Sequence, residues 1–104
     1  MGKKHILLIT YNLHSWHNYG DFYMKLKELC PDYIHFEEYG WLVYTDIEPD
    51  DLRKDIWPLM YHKPGESADI LFICEIVGES CVGFAGTSVW KWIKEKIEEM
   101  KKEE

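Results

Sequence analysis

Two histidines three residues apart, His14 and His17 in His-Ser-Trp-His, stand near Asn12 and Asp21. Imidazoles at that spacing can hold a borderline transition metal or exchange protons close to neutral pH. The pair specifies no third or fourth ligand, so a polar surface loop is the simpler reading, and Asn12, His14 and His17 stand only as candidate catalytic positions. Asp21 is the one carboxylate among the first 27 residues, whereas hard ions such as Mg²⁺ are held by charged oxygens. No metal and no cofactor is expected. Cys81, in Gly78-Glu79-Ser80-Cys81-Val82-Gly83, is the loop-like thiol, but nothing in the sequence sets a base beside it. Gly78, Gly83 and Gly86 lack phosphate-loop spacing and suit turns.

Charge is distributed unevenly. Between Glu28 and Glu79 there are thirteen acidic and three basic residues, a net of −10, while the rest of the chain sums to +3 for a total of −7. A general electrostatic grip on nucleic-acid phosphate is therefore not expected. Glu37, Glu38, Asp46, Glu48, Asp50, Asp51 and Asp55 could form an acidic flank that binds a basic protein surface or imitates phosphate, though charged exteriors of hairpins and helices also serve solubility. Aromatic residues make up 15% of the chain, with five tryptophans. Without interleaved Arg or Lys, Trp16, Trp41, Trp57, Trp90 and Trp92 suit core or dimer anchors better than base-stacking platforms.

These residues need a frame, and 104 residues with 46% hydrophobic content allow one domain spanning 1–104. Ile6 to Leu13 reads as a strand. Tyr19 to Cys30 places Phe22, Tyr23, Leu26, Leu29 and Cys30 at helical spacing, and Pro31 ends the pattern. Tyr33 to Phe36 and Trp41 to Thr45 read as a hairpin turning at Glu37 to Gly40. A helix follows from Pro49 through Leu52, Ile56, Leu59 and Met60 towards His62, with Pro58 shortening or kinking it. Ala68 to Val77 is a fourth strand. Thr87 could cap a last helix carrying Val89, Ile93, Ile97 and Met100 on one face, with 98–104 fraying. The order predicts an α+β fold, the ferredoxin-like β-α-β-β-α-β arrangement with an appended C-terminal helix.

Strands one and four are apolar on both alternating sets, so both faces of the sheet need cover. Two helices can bury one face. The other is expected to be covered by the C-terminal helix, by a second copy of the chain through Ile6, Leu8, Leu71 and Ile73, or by both. A homodimer is the economical expectation. Three cysteines without CxxC spacing suit reduced thiols in the cytoplasm, and no stretch is apolar for eighteen residues, so neither secretion nor membrane insertion is expected.

Ile9-Thr10-Tyr11-Asn12-Leu13, Tyr19 with Phe22-Tyr23 and Leu26, Trp41-Leu42-Val43, Asp69-Ile70-Leu71-Phe72-Ile73 and Trp90-Lys91-Trp92-Ile93-Lys94, in that order and spacing, resemble the small bacterial "SinR family" proteins. The resemblance runs from about Ile6 to Ile97 and implies a Cas-two-like fold, similar to the smaller CRISPR adaptation protein and to VapD-type toxin ribonucleases. It also implies sheet-mediated dimers and, where such proteins are catalytic, an Asp at the end of strand one that binds a divalent metal. Asn12 occupies the matching position, and Tyr39-Gly40 stands where a Ser or Thr often precedes the strand-three Trp. A neutral amide supplies no charge to Mg²⁺. The expectation is a dimeric, non-catalytic interaction module acting through a protein or nucleic-acid partner. The rivals are a divalent-metal nuclease using Asn12, His14 and His17, and an acidic inhibitor seated in a basic groove.

Overall fold

The computed structural model describes residues 2–13, 18–60, 70–77 and 86–102. Strand β1 (His5–Asn12) leads to helix α1 (Asn18–Leu29), then to the hairpin of β2 (Tyr33–Glu37) and β3 (Gly40–Thr45). Helix α2 (Pro49–Ile56) runs into a 3₁₀ turn (Trp57–Leu59), and strand β4 (Ile70–Ile76) precedes helix α3 (Thr87–Lys102). Local chemistry sets these bounds. The last α1 bond runs from the Cys30 N–H to the Leu26 carbonyl, and Pro31 has no N–H with which to continue. Pro49 needs no partner at the first position of α2, where Asp50 and Asp51 also favour the helix dipole. Pro58 tightens the end of α2 into the 3₁₀ turn, so Leu59 and Met60 fall outside the α-helix expected to reach towards His62.

Two boundaries are corrected. Gly86, not Thr87, precedes the first turn of α3, since its carbonyl accepts from the N–H groups of Val89 and Trp90. The helix also continues through 98–102, the segment expected to fray. Met100 packs there against the cluster of Ile6, Leu42, Tyr44, Val89 and Ile93, and Lys96–Glu99 and Lys101–Glu98 ion pairs support the last turns.

The strands form one antiparallel sheet in the order β2-β3-β1-β4. Each β-α-β segment therefore straddles a strand from the other half of the chain. β3 lies at the centre and all six of its residues are buried. On the first sheet face, Leu7, Ile9, Tyr11, Trp41 and Val43 meet Phe22, Leu26 and Cys30 of the α1 region and Leu52 and Ile56 of α2. On the second face, Ile6, Leu42 and Tyr44 meet Val89 and Ile93 of α3. Each of the larger aliphatic or aromatic side chains withdrawn from water contributes roughly 1.5–3 kcal/mol.

The expected contact set Ile6, Leu8, Leu71 and Ile73 does not share a face. Opposed residues of an antiparallel pair point the same way, and Ile6 pairs with Ile76 while Leu8 pairs with Cys74. Leu71 and Ile73 accordingly join the first-face core, and Ile6 is fully buried under α3. The β4 residues that accompany Leu8 are Ile70, Phe72, Cys74 and Ile76.

Lys96 fastens α3 across the second face. Its ammonium donates to Asp32 Oδ2 at 2.7 Å and to Glu99 Oε1 at 3.4 Å, and lies 5.3 Å from the Tyr44 ring centroid. Burial pulls this ammonium down, but the hydrogen bond and charge of Asp32 outweigh that and hold its pKa above the usual lysine value. Lys96→Met is expected to cost about 1 kcal/mol in urea denaturation, and Asp32→Asn about the same. The double variant should lose clearly less than the sum of the two, because both single changes break one contact.

Candidate functional site

The end of β1 carries the sequence-derived site, and strand alternation splits it between the two faces. Tyr11 turns into the first-face core, whereas Asn12 is exposed on the second face opposite Ile70, with Thr10 opposite Phe72 beside it. His14 and His17 lie outside the described residues, as do Trp16 and Cys81. Asp21 stands exposed in the first turn of α1, and α1 packs on the face away from Asn12. Among the described residues no group of three or more His, Cys, Asp and Glu is placed to hold a metal ion.

Behind Tyr11 lies a polar network that sequence reasoning missed. The Trp41 Nε1–H donates to Tyr11 Oη at 2.9 Å, and Tyr11 in turn donates to the Glu38 carbonyl at 3.0 Å. Tyr23 donates to the same carbonyl at 3.4 Å, and His35 Nε2 lies 3.3 Å from it. Tyr19 Oη accepts from the Leu13 N–H at 3.0 Å. These bonds tie the hairpin tip to the ends of β1 and α1. Burial, with a further contribution from the Tyr23 hydrogen bond, pushes the Tyr11 hydroxyl far above its usual pKa, so it stays protonated and is no general base at neutral pH. The Tyr11, Tyr19, Tyr23 and Tyr39 rings lie 5.9 to 6.3 Å apart in five pairings, filling one another's space rather than enclosing a slot for a cation or a base. The network is a brace. The density of tyrosines at 11, 19, 23 and 39 was its visible signal, but the shared acceptor is a backbone carbonyl that no side-chain pattern reveals.

Gly40 completes the brace. A Cβ there would lie 2.8 Å from Glu37 Cγ and 2.8 Å from Phe36 Cζ, so the tip closes on a residue without one. The register shift between His35 and Glu37 accompanies this closure.

The seven acidic residues of the expected flank divide into two groups. Glu37 and Glu38 sit at the hairpin tip, while Asp46 and Glu48 follow the opposite end of β3, a strand of six residues and hence about 20 Å long. Asp50, Asp51 and Asp55 ride on α2. Arg53 donates to Asp50 at 2.8 Å and Lys54 lies 3.4 Å from it, so Asp50 is locally neutralised and the Arg53 hydrogen bond and charge lower its pKa.

The tryptophans also separate. Trp41 is fully buried, Trp90 and Trp92 pack on the second-face core, and Trp57 is exposed. α3 crosses the second face over Ile6, Leu42 and Tyr44, and among the described residues no helix packs on its other end around Asn12. There Ile70 is 51% and Phe72 62% exposed, and Cys74 is exposed as well. On the first face a cavity of about 300 Å³ lies between α2 and β4, lined by Pro49, Asp50, Arg53, Leu71 and Ile73. Among the described residues, exposed apolar side chains thus cluster on β4.

No family model, no curated protein and no solved structure matches the chain. Among the described residues no helix is long and apolar enough to cross a membrane.

Proposed function

We propose that the chain is a ferredoxin-like interaction module of the Cas-two-like class, working as a homodimer through a protein or nucleic-acid partner rather than by catalysis. The fold assignment is supported by the strand order, in which β1 and β2 flank β3 while β3 and β4 flank β1. The observation that carries the functional reading is the setting of Asn12. Its neutral amide stands at the end of the sheet beside Thr10, Ile70 and Phe72, a surface suited to contact and, among the described residues, poor in the charged oxygens a hard cation needs. The free thiols Cys30 and Cys74 suit a reducing compartment, which favours the cytoplasm.

Incubation with labelled single- and double-stranded RNA and DNA in Mg²⁺ or Mn²⁺ is expected to leave every substrate intact, and Mg²⁺ titration calorimetry to give no binding heat. A weak Zn²⁺ signal, abolished by His14→Ala with His17→Ala, fits this reading as incidental binding. Nucleic-acid cleavage that disappears in Asn12→Ala, or tight stoichiometric Mg²⁺ binding, would replace it with a metal-dependent nuclease.

A further inference from the structure

The cavity of about 300 Å³ between α2 and β4 joins an apolar floor to a charged rim. Its volume stands at the lower end of small-molecule sites, which combine apolar walls with a few polar groups that fix orientation. Leu71 and Ile73, each partly exposed, supply the floor, and Pro49 adds an apolar edge. Asp50 and Arg53, one turn apart on α2, supply the rim. Asp51, Asp55 and Glu75 are not among the walls.

Donor and acceptor capacity decides which ligand the rim can take. Both Asp50 oxygens are engaged: Oδ1 accepts from Arg53 Nε at 3.0 Å and Nη2 at 2.8 Å, and Oδ2 lies 3.4 Å from Lys54 Nζ. Arg53 spends only its Nε–Nη2 edge on this contact. A guanidinium has five N–H donors, so three are left, two of them parallel on the Nη1–Nη2 edge, and among the described residues these meet no acceptor. Asp50, Arg53 and Lys54 together sum to one positive charge within a chain of −7. We propose that the cavity binds a small organic monocarboxylate with an apolar tail, its carboxylate on the free edge of Arg53 and its tail on Leu71 and Ile73. A planar carboxylate matches two parallel N–H donors, whereas an ammonium in its place would find both Asp50 oxygens taken. The site is on the face away from Asn12 and stands or falls apart from the interaction-module reading.

Hexanoate is a suitable probe, and a ligand of about eight non-hydrogen atoms is expected to bind with a Kd on the order of 1 mM. Titration of the full chain near neutral pH, followed by amide NMR, should give saturable shifts at Asp50, Arg53, Leu71 and Ile73 and at the Arg53 Nε–H. Acetate, with the charge but no tail, and hexanol, with the tail but no charge, should each bind at least about tenfold more weakly, and hexylammonium no better than hexanol. Arg53→Gln should weaken hexanoate at least about tenfold. Arg53 is half exposed and Lys54 still faces Asp50 in that variant, so its circular dichroism should match wild type. Asp50→Asn releases the guanidinium and should hold or tighten hexanoate, whereas an ion pair that only shaped the cavity would lose binding in both variants. No saturable shift up to about 20 mM hexanoate, which includes the case of other residues of the chain filling the cavity, overturns the site. Hexylammonium binding as tightly as hexanoate, or Arg53→Gln leaving the affinity unchanged, also overturns it. The module reading survives each of these results and fails on nucleic-acid cleavage instead.

Discussion

Trp41→Ala is expected to lower the folding free energy by about 4 kcal/mol, a large share of what a domain this size holds. Trp41 is fully buried, its ring centroid 4.6 Å from that of Tyr33 and 4.8 Å from that of His35, and its Nε1–H donates to Tyr11. Truncation opens a cavity beneath the β2–β3 hairpin and removes the donor from the buried Tyr11 hydroxyl. Trp41→Phe keeps most of the ring contact, and Tyr11 retains its bond to the Glu38 carbonyl, so its cost should be about 1–2 kcal/mol. Urea denaturation of the three proteins tests the ranking. An alanine variant within about 1 kcal/mol of wild type would mean that the aromatic brace does not hold the hairpin to the sheet.

Alkaline pH should weaken the fold in a window set by two buried groups. Burial raises the Cys30 thiol from about 9 to about 11, with a hydrogen bond from Thr45 opposing the shift, and burial raises the Tyr11 hydroxyl above its ordinary value of 10. In both cases the protonated form is favoured by folding. The stabilisation is therefore complete below the unfolded-state pKa and is lost as pH rises above it. For Cys30 the loss runs from about pH 9 to 11 and amounts to about 3 kcal/mol; Tyr11 adds about 1 kcal/mol per pH unit above 10. Urea midpoints collected from pH 7 to 11 should fall by an amount equivalent to roughly 4 kcal/mol, and Cys30→Ala should flatten the part between 9 and 10. Equal slopes for wild type and Cys30→Ala would remove Cys30 as the cause.

Local order could be read directly from the chain. Pro31, Pro49 and Pro58 punctuate the helices through a missing N–H and a fixed φ, and the spacing of Phe22, Leu26, Val89 and Ile93 marks the helix faces that become buried. Asn12 at the end of strand one was equally legible, since it depends only on position along one strand. Which face of β4 belongs with Ile6 was not, because that strand is apolar at both parities and its alternation carries no information about sides. Only the pairing of Leu8 with Cys74 settles it, putting Phe72 on the open face and Leu71 and Ile73 on the other. The acidic residues are near one another in sequence, but β3 holds Glu38 and Asp46 at opposite ends because an extended strand advances about 3.3 Å per residue. The Tyr11 and Tyr23 hydroxyls converge on a carbonyl 27 and 15 residues away. Backbone acceptors are identical at every residue, so only the folded chain decides which one these two hydroxyls will meet.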